Sequence, residues 1–148
     1  MTTETRTAAG AVVLLTRLSR SVYRLVDEDE LGMRLKEFVM LSYLGEAQGG
    51  ATQRELGEIM GIDANMVVLL LNGLETRRFA LRERDPQDRR RHIVRITPAG
   101  RKALVRGERV LEGLSDQALG KLDADERHTL RHLLAKALGD GAYAATAA

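Results

Sequence analysis

Between positions 77 and 95 the chain carries eight arginines (77, 78, 82, 84, 89, 90, 91 and 95) against three acids (Glu83, Asp85 and Asp88). That is a local excess of five positive charges in a protein whose formal net charge is only +2. Charge so concentrated suits a polyanion, because guanidinium groups that neutralise phosphates release condensed counterions and their planar fork matches phosphate oxygens. A solvated charge run is the plainer alternative. It is disfavoured because these arginines flank a proline, Pro86, in a turn between two apolar runs. Other groupings of reactive side chains are weaker. His128 and His132 lie four apart, and Asp125 is a conceivable third metal ligand. No spacing fixes that third ligand, and Thr129 stands where a zinc protease needs its glutamate, so two exposed helix histidines are the favoured reading and no metal is assigned. The chain has no phosphate loop, no GxSxG and no cysteine nucleophile. An enzyme is therefore the least supported class, and no cofactor is expected.

Composition narrows the partner. With 148 residues, 44% of them hydrophobic, the chain can bury a core as one compact subunit. Aromatics, at 3%, are too few for a base-stacking platform, which leaves duplex DNA or a protein surface. Without cysteine there is no disulfide, thiolate metal site or thiol-based sensor. The stretch Met1 to Gly10 is polar, unlike a secretory signal, and no later segment approaches a membrane span. A cytoplasmic protein with no membrane partner is expected.

The elements that must position the arginines follow from periodicity and capping residues. Ala11, Leu14, Leu15, Leu18, Val22, Leu25 and Val26 recur at helical spacing in a first amphipathic helix from Ala8 to Val26, with Arg17, Arg20 and Arg24 interleaved. The acids Asp27 to Glu30 read as its solvated end and a loop, where they would also repel misplaced DNA. A second helix runs from Leu35 to Gln48 and ends at Gly49-Gly50. Thr52-Gln-Arg-Glu55 is a capping box that starts a short helix to about Met60. Gly61 allows a tight turn, and Asp63 caps a further helix, Ala64 to about Arg77, in the helix-turn-helix manner. Its Met66, Val67, Leu70, Leu71 and Leu74 are expected in the core. The runs Phe79–Arg84 and His92–Ile96 then read as hairpin strands with Pro86 in the tip. Thr97-Pro98 caps the next helix, and Asp123-Ala-Asp-Glu126 caps the last, which Gly139 stops before a loose tail.

This order, together with Asp85-Pro-Gln-Asp-Arg-Arg90 followed by Val94-Arg-Ile-Thr-Pro-Ala-Gly100, resembles the MarR (multiple antibiotic resistance regulator) family. Those residues match its DxxDRR wing running into a strand and a (L/I)TxxG helix start. Thr52 to Asp63 and the pair Leu74-Glu75 are similar to the family's approach to, and exit from, its recognition helix. The resemblance covers roughly Ala8 to Leu138. It implies a mainly α fold with a small β wing: a winged helix-turn-helix with N- and C-terminal dimerisation helices. Residues 1–34 would be the first dimerisation helix and loop, 35–97 the DNA-binding region, 98–138 the C-terminal dimerisation helices and 139–148 a flexible tail. The implied protein is a homodimeric regulator of transcription on a palindromic double-stranded operator, with recognition helices one helical turn, about 10 bp, apart.

Within that resemblance, Asp88 would shape the wing by pairing with an arginine while Arg89 or Arg90 enters the minor groove, and Arg84 and Arg91 complete the basic tip. Thr52, Gln53 and Arg54 would meet phosphate at a helix start, although capping alone explains Thr52. Asn65 is the candidate for adenine readout, and Ala64 or Val68 for a thymine methyl. The family often has Ser, Thr, Arg or Gln where this chain has Ala64, Met66, Val68 and Leu69. Few donors remain to read bases. Arg78 stands where the family commonly has glycine, and a left-handed arginine costs on the order of 1 kcal/mol, so a differently shaped helix end is expected. A repressor released by a small effector, such as a phenolic or lipophilic acid, is implied, with Arg17, Arg20, Tyr23, Phe38 and Tyr43 as cleft residues. The aromatics serve equally as plain core. The alternatives are a winged-helix module that docks an acidic protein, and a regulator without ligand response.

Overall fold

The computed structural model describes residues 9–139. The N-terminal stretch through Ala8 and the expected tail beyond Gly139 lie outside the described residues. In order, the elements are α1 (Ala11–Leu25), α2 (Glu28–Leu31), α3 (Leu35–Glu46), β1 (Ala51–Thr52), α4 (Gln53–Met60), α5 (Ala64–Thr76), β2 (Ala80–Arg84), β3 (His92–Ile96), α6 (Pro98–Ala118) and α7 (Ala124–Leu138). The chain is mainly helical with a three-stranded antiparallel sheet in the order β1-β3-β2.

The helix starts sit where the capping residues require them. Thr52 Oγ1 accepts from the Glu55 N–H at 3.1 Å while the Thr52 N–H donates to the Glu55 carboxylate at 3.3 Å. Asp63 accepts from Met66 N–H and Asp123 from Glu126 N–H, each at 2.8 Å. Thr97 accepts from Gly100 N–H at 3.0 Å with Pro98 in the first turn. Each such bond satisfies a donor that the helix itself leaves open. Between α4 and α5, Gly61 adopts φ 65°, a left-handed turn that costs glycine little, and the two helices bend by 109°.

Three local features differ from the sequence expectation. The acids after α1 do not form a plain loop: Asp27 accepts from the N–H groups of Asp29 and Glu30 and caps the short α2. Three acids in a first turn are favoured by the partial positive charge of a helix start. The two-residue β1 was not anticipated; it pairs Ala51 with Val94 and Thr52 with Ile93, so β3 is the central strand. Two residues carry too little periodicity to be read from sequence. Finally, Arg78 does take the left-handed conformation, φ 61°. The Arg78 N–H bonds the Glu75 carbonyl and the Phe79 N–H bonds the Leu74 carbonyl, each at 2.9 Å, the two-bond helix end that glycine usually closes. Thr97 Oγ1 donates to the Arg78 carbonyl at 2.6 Å and so pins the strained residue from the opposite strand.

The core lies between α3, α4, α5 and β3, where Leu41, Leu44, Leu56, Leu71, Leu74 and Val94 are fully buried. The expected core face of α5 is largely as read: Val67, Leu70, Leu71 and Leu74 are buried, and Met66 is half-buried against them. Two elements fit this core poorly. Helix α1 packs on α6 yet has no buried residue, and its Val12, Val13, Leu14 and Leu15 are exposed. On α7 only Ala135 is buried, while Leu133, Leu134 and Leu138 face outward. No single helix among the described residues is long and apolar enough to cross a membrane.

Candidate nucleic-acid interface

The hairpin between β2 and β3 is closed by Asp85, which is only 4% exposed. Its N–H donates to the Arg91 carbonyl at 3.0 Å, Oδ1 accepts from Gln87 N–H at 2.9 Å, and Oδ2 accepts from the Arg91 guanidinium at 2.9 Å. The Arg91 bond, followed by the Gln87 N–H, holds the Asp85 carboxyl below its ordinary value, and Asp85 in turn raises Arg91. The side-chain ion pair of Arg91 is therefore with Asp85, and Asp88 adds a weaker charge interaction with the same guanidinium. Asp88 shapes the tip differently: its Oδ1 accepts from the Arg90 N–H and its carbonyl from the Arg91 N–H, both at 3.0 Å. Spacing alone could not separate the two aspartates. Only the closed hairpin shows that Asp85 sits at its mouth opposite Arg91.

Pairing sorts the eight arginines. Arg77 meets Glu37, Arg82 meets Glu75, Arg91 meets Asp85 and Arg95 meets Glu83. Eight less these four leaves Arg78, Arg84, Arg89 and Arg90 without a side-chain acid partner among the described residues. Three of the four, Arg84, Arg89 and Arg90, are exposed at the hairpin tip. The local charge excess is thus concentrated at the wing.

On α5 the exposed residues are Ala64, Asn65, Val68, Leu69, Asn72 and Thr76, one continuous stripe at helical spacing. A groove of about 380 Å³ between α4 and α5 is lined by Gln53, Arg54, Ala64 and Val68, and so brings together four of the residues singled out from sequence. Thr52 is half-buried as a cap, and Arg54 reaches Glu58 at 3.2 Å along the exposed side of α4. The hairpin is tied to this stripe. Arg82 donates to Asn72 Oδ1 at 3.1 Å and pairs with Glu75, which the sequence reading did not foresee.

A second unforeseen contact holds the same C-terminal end of α5 from the side of α3. Glu37 is 2% exposed and accepts from Arg34 N–H at 3.0 Å and from the Arg77 guanidinium at 3.1 Å. Arg77 also donates to the Gly32 carbonyl at 3.0 Å. Gly73 makes room: a Cβ there would run into the Glu37 carboxylate. The residue pattern concealed this pair, because Glu37 in a first helical turn reads as an exposed cap.

The expected cleft residues do not share one cleft. Phe38 is buried against Gly107 of α6, whereas Arg17, Arg20 and Tyr23 are exposed on α1. Tyr43 lines a cleft of about 550 Å³ with Ile59 and Leu138. His128 and His132 are exposed on α7, and no three ligating side chains converge among the described residues.

A helix pair at a right-angled bend, followed by a basic two-stranded wing and framed by terminal helices, defines a winged helix-turn-helix protein. The sequence model of the MarR family matches residues 31–91. The chain is also similar to a probable transcriptional regulator from Pseudomonas aeruginosa, 30% identical over 85% of this chain and 95% of that one, with a TM-score of 0.71. It belongs to the MarR family. A mutant MarR from E. coli complexed with operator DNA shares the fold at 24% identity, covering 86% of this chain and 92% of that one, TM-score 0.70. A protein named for transcriptional regulation of the hcr operon in Thauera aromatica is 34% identical over 85 residues, 57% of this chain and 51% of that protein. The match thus spans about half the length of the curated relatives.

Proposed function

We propose that this chain is a homodimeric regulator of transcription that binds a palindromic double-stranded operator, and that it is a repressor released by a small molecule. The observation that carries DNA binding is the set of acid-free arginines, Arg84, Arg89 and Arg90, at the tip of a wing tied through Arg82 to the exposed stripe of α5. A helix of this kind fits the major groove while guanidinium groups on the wing meet phosphate or enter the minor groove. The operator-bound MarR with the same fold supports this docking. Residues 35–97 would form the DNA-binding region, with α1, α6 and α7 forming the dimer. Exposed leucines and valines on α1 and α7 support that division, since such faces require cover.

Release by an effector needs a site whose occupancy alters the geometry of α5. A cleft of about 850 Å³ between α3, α6 and α7 has apolar walls of Leu104, Val105 and Leu111 and mixed charge, Arg101 and Arg131 against Glu46, Glu108 and Glu112, and so suits a phenolic, weakly charged lipophilic effector better than a strongly anionic one. Selection of bound duplexes from a random pool at near-physiological salt tests the reading. A palindromic motif is expected, and the recovered duplex then serves to screen phenolic compounds for release. An enriched pool without a motif would mean backbone-only binding, and no enrichment would overturn the function.

A further inference from the structure

The exposed stripe of α5 is unusual for a surface that reads bases. Three of its six residues, Ala64, Val68 and Leu69, have no hydrogen-bonding side chain, and Val68 and Leu69 are 37% and 50% exposed on consecutive positions at its middle. Asn72 is partly spoken for, since its Oδ1 accepts from Arg82. Asn65 keeps both its donor and its acceptor free among the described residues. Beside the stripe stand the exposed wing arginines, and Arg54, paired with Glu58, borders the groove that Ala64 and Val68 line. Its charged surroundings therefore favour a nucleic acid, while its centre favours an apolar contact.

In the major groove only thymine among the four bases presents an apolar group, its C5-methyl, whereas every other distinguishing feature is a donor or acceptor. We infer that Val68 and Leu69 are specificity-determining residues that recognise thymine methyl groups, with Asn65 supplying the single polar base contact. The inference rests on the operator-binding reading. It adds the class of half-site: thymine-rich on the edge facing the centre of α5, with the Asn65 contact to fix the register. The arginine that engages Asn72 keeps that position from acting as an independent adenine reader. Discrimination then comes mainly from methyl burial, worth about fourfold in affinity per methyl-sized group removed from water.

Deoxyuridine tests this directly, because it keeps every hydrogen-bonding group of thymidine and lacks only the methyl. The probe is the tightest duplex recovered from the random pool, compared with copies in which each thymidine is replaced singly by deoxyuridine. Affinity should fall about threefold to fourfold at one or two positions in each half-site and stay level elsewhere. Val68→Ala and Leu69→Ala change exposed side chains. Each should abolish the penalty at its own position while the variant still binds, and Arg90→Ala should weaken thymidine and deoxyuridine probes equally. Selective binding that ignores every deoxyuridine would overturn the inference and leave operator binding intact. A penalty that persists unchanged in both alanine variants would move methyl recognition away from α5. Failure to bind any duplex would remove the operator reading itself, and this inference with it.

Discussion

Because the nearly buried Asp85 accepts both a main-chain N–H and the Arg91 guanidinium, protonating it would weaken two charge-assisted bonds at once. Its carboxyl is held below the ordinary value of 3.8, so the stabilisation of the hairpin tip is full above that value and is lost as pH falls through the lower folded one. Hydrogen exchange of the Gln87 amide, corrected for its intrinsic rate, should therefore show level protection from about pH 7 down to about pH 5, with loss only below the ordinary carboxylate range. Protection that fades near pH 6 would contradict this assignment. Arg90, in contrast, carries charge outward. Arg90→Ala should flatten the salt dependence of DNA affinity by about one unit of log–log slope; an unchanged slope would remove Arg90 from the interface. Arg78→Gly should leave DNA affinity nearly unchanged and raise stability by up to about 1 kcal/mol, since relief of about 1–2 kcal/mol of left-handed strain exceeds the roughly 0.5–1 kcal/mol lost to glycine's freedom. Chemical denaturation measures it, and a less stable variant would mean that the arginine side chain contributes packing the strain argument omits.

At the scale of elements, the placement of α5 depends on two tethers at its C-terminal end: Arg82 reaches Asn72 and Glu75 from the wing, and Arg77 anchors the helix end to Glu37 and Gly32. Arg77→Ala would leave the buried Glu37 carboxylate with the Arg34 N–H and, 3.9 Å away, the exposed Arg34 guanidinium. A loss of about 2–3 kcal/mol is expected, less than for a fully buried pair because the Arg77 side chain is 37% exposed. Urea unfolding would check it, and a change under about 0.5 kcal/mol would show the tether to be incidental. These tethers also mark where sequence reading stops. Helix starts were legible because Thr52, Asp63, Thr97 and Asp123 bond donors three residues away, and the hairpin because Pro86 and two flanking runs are local signals. Glu37 with Arg77 spans 40 positions, and Arg82 with Asn72 joins two elements, so neither pairing has a local signature. The same limit hid β1, whose partner lies more than forty residues on in β3. Arg78 shows a different kind of limit. The strain in arginine suggested a different helix end, but a hydrogen bond from Thr97 and two main-chain bonds outweigh roughly a kilocalorie of local preference.

For the whole molecule, the protomer divides into a well-packed centre and two helices that bury little of their own apolar surface. The core around α3, α5 and β3 closes on itself, whereas the exposed residues of α1 and α7 include Val12, Leu14, Leu133 and Leu138. Under the homodimer proposal these faces meet across a two-fold axis, and folding of the terminal helices is coupled to association. The thermal midpoint should then rise with protein concentration, and dilution should first lose helical signal from α1 and α7. A midpoint independent of concentration over about two decades, with a monomeric mass in sedimentation, would refute the coupling. The loosely seated α7 has a consequence beyond stability. A newly made chain without a partner would present leucine-bearing helices to chaperones and proteases, so its lifetime would depend on how many sister chains surround it. Under the homodimer and operator proposals, abundance itself would become an input to the circuit: below a threshold copy number the regulator would be cleared as well as unbound, and its target would switch more steeply than mass action at the operator alone provides.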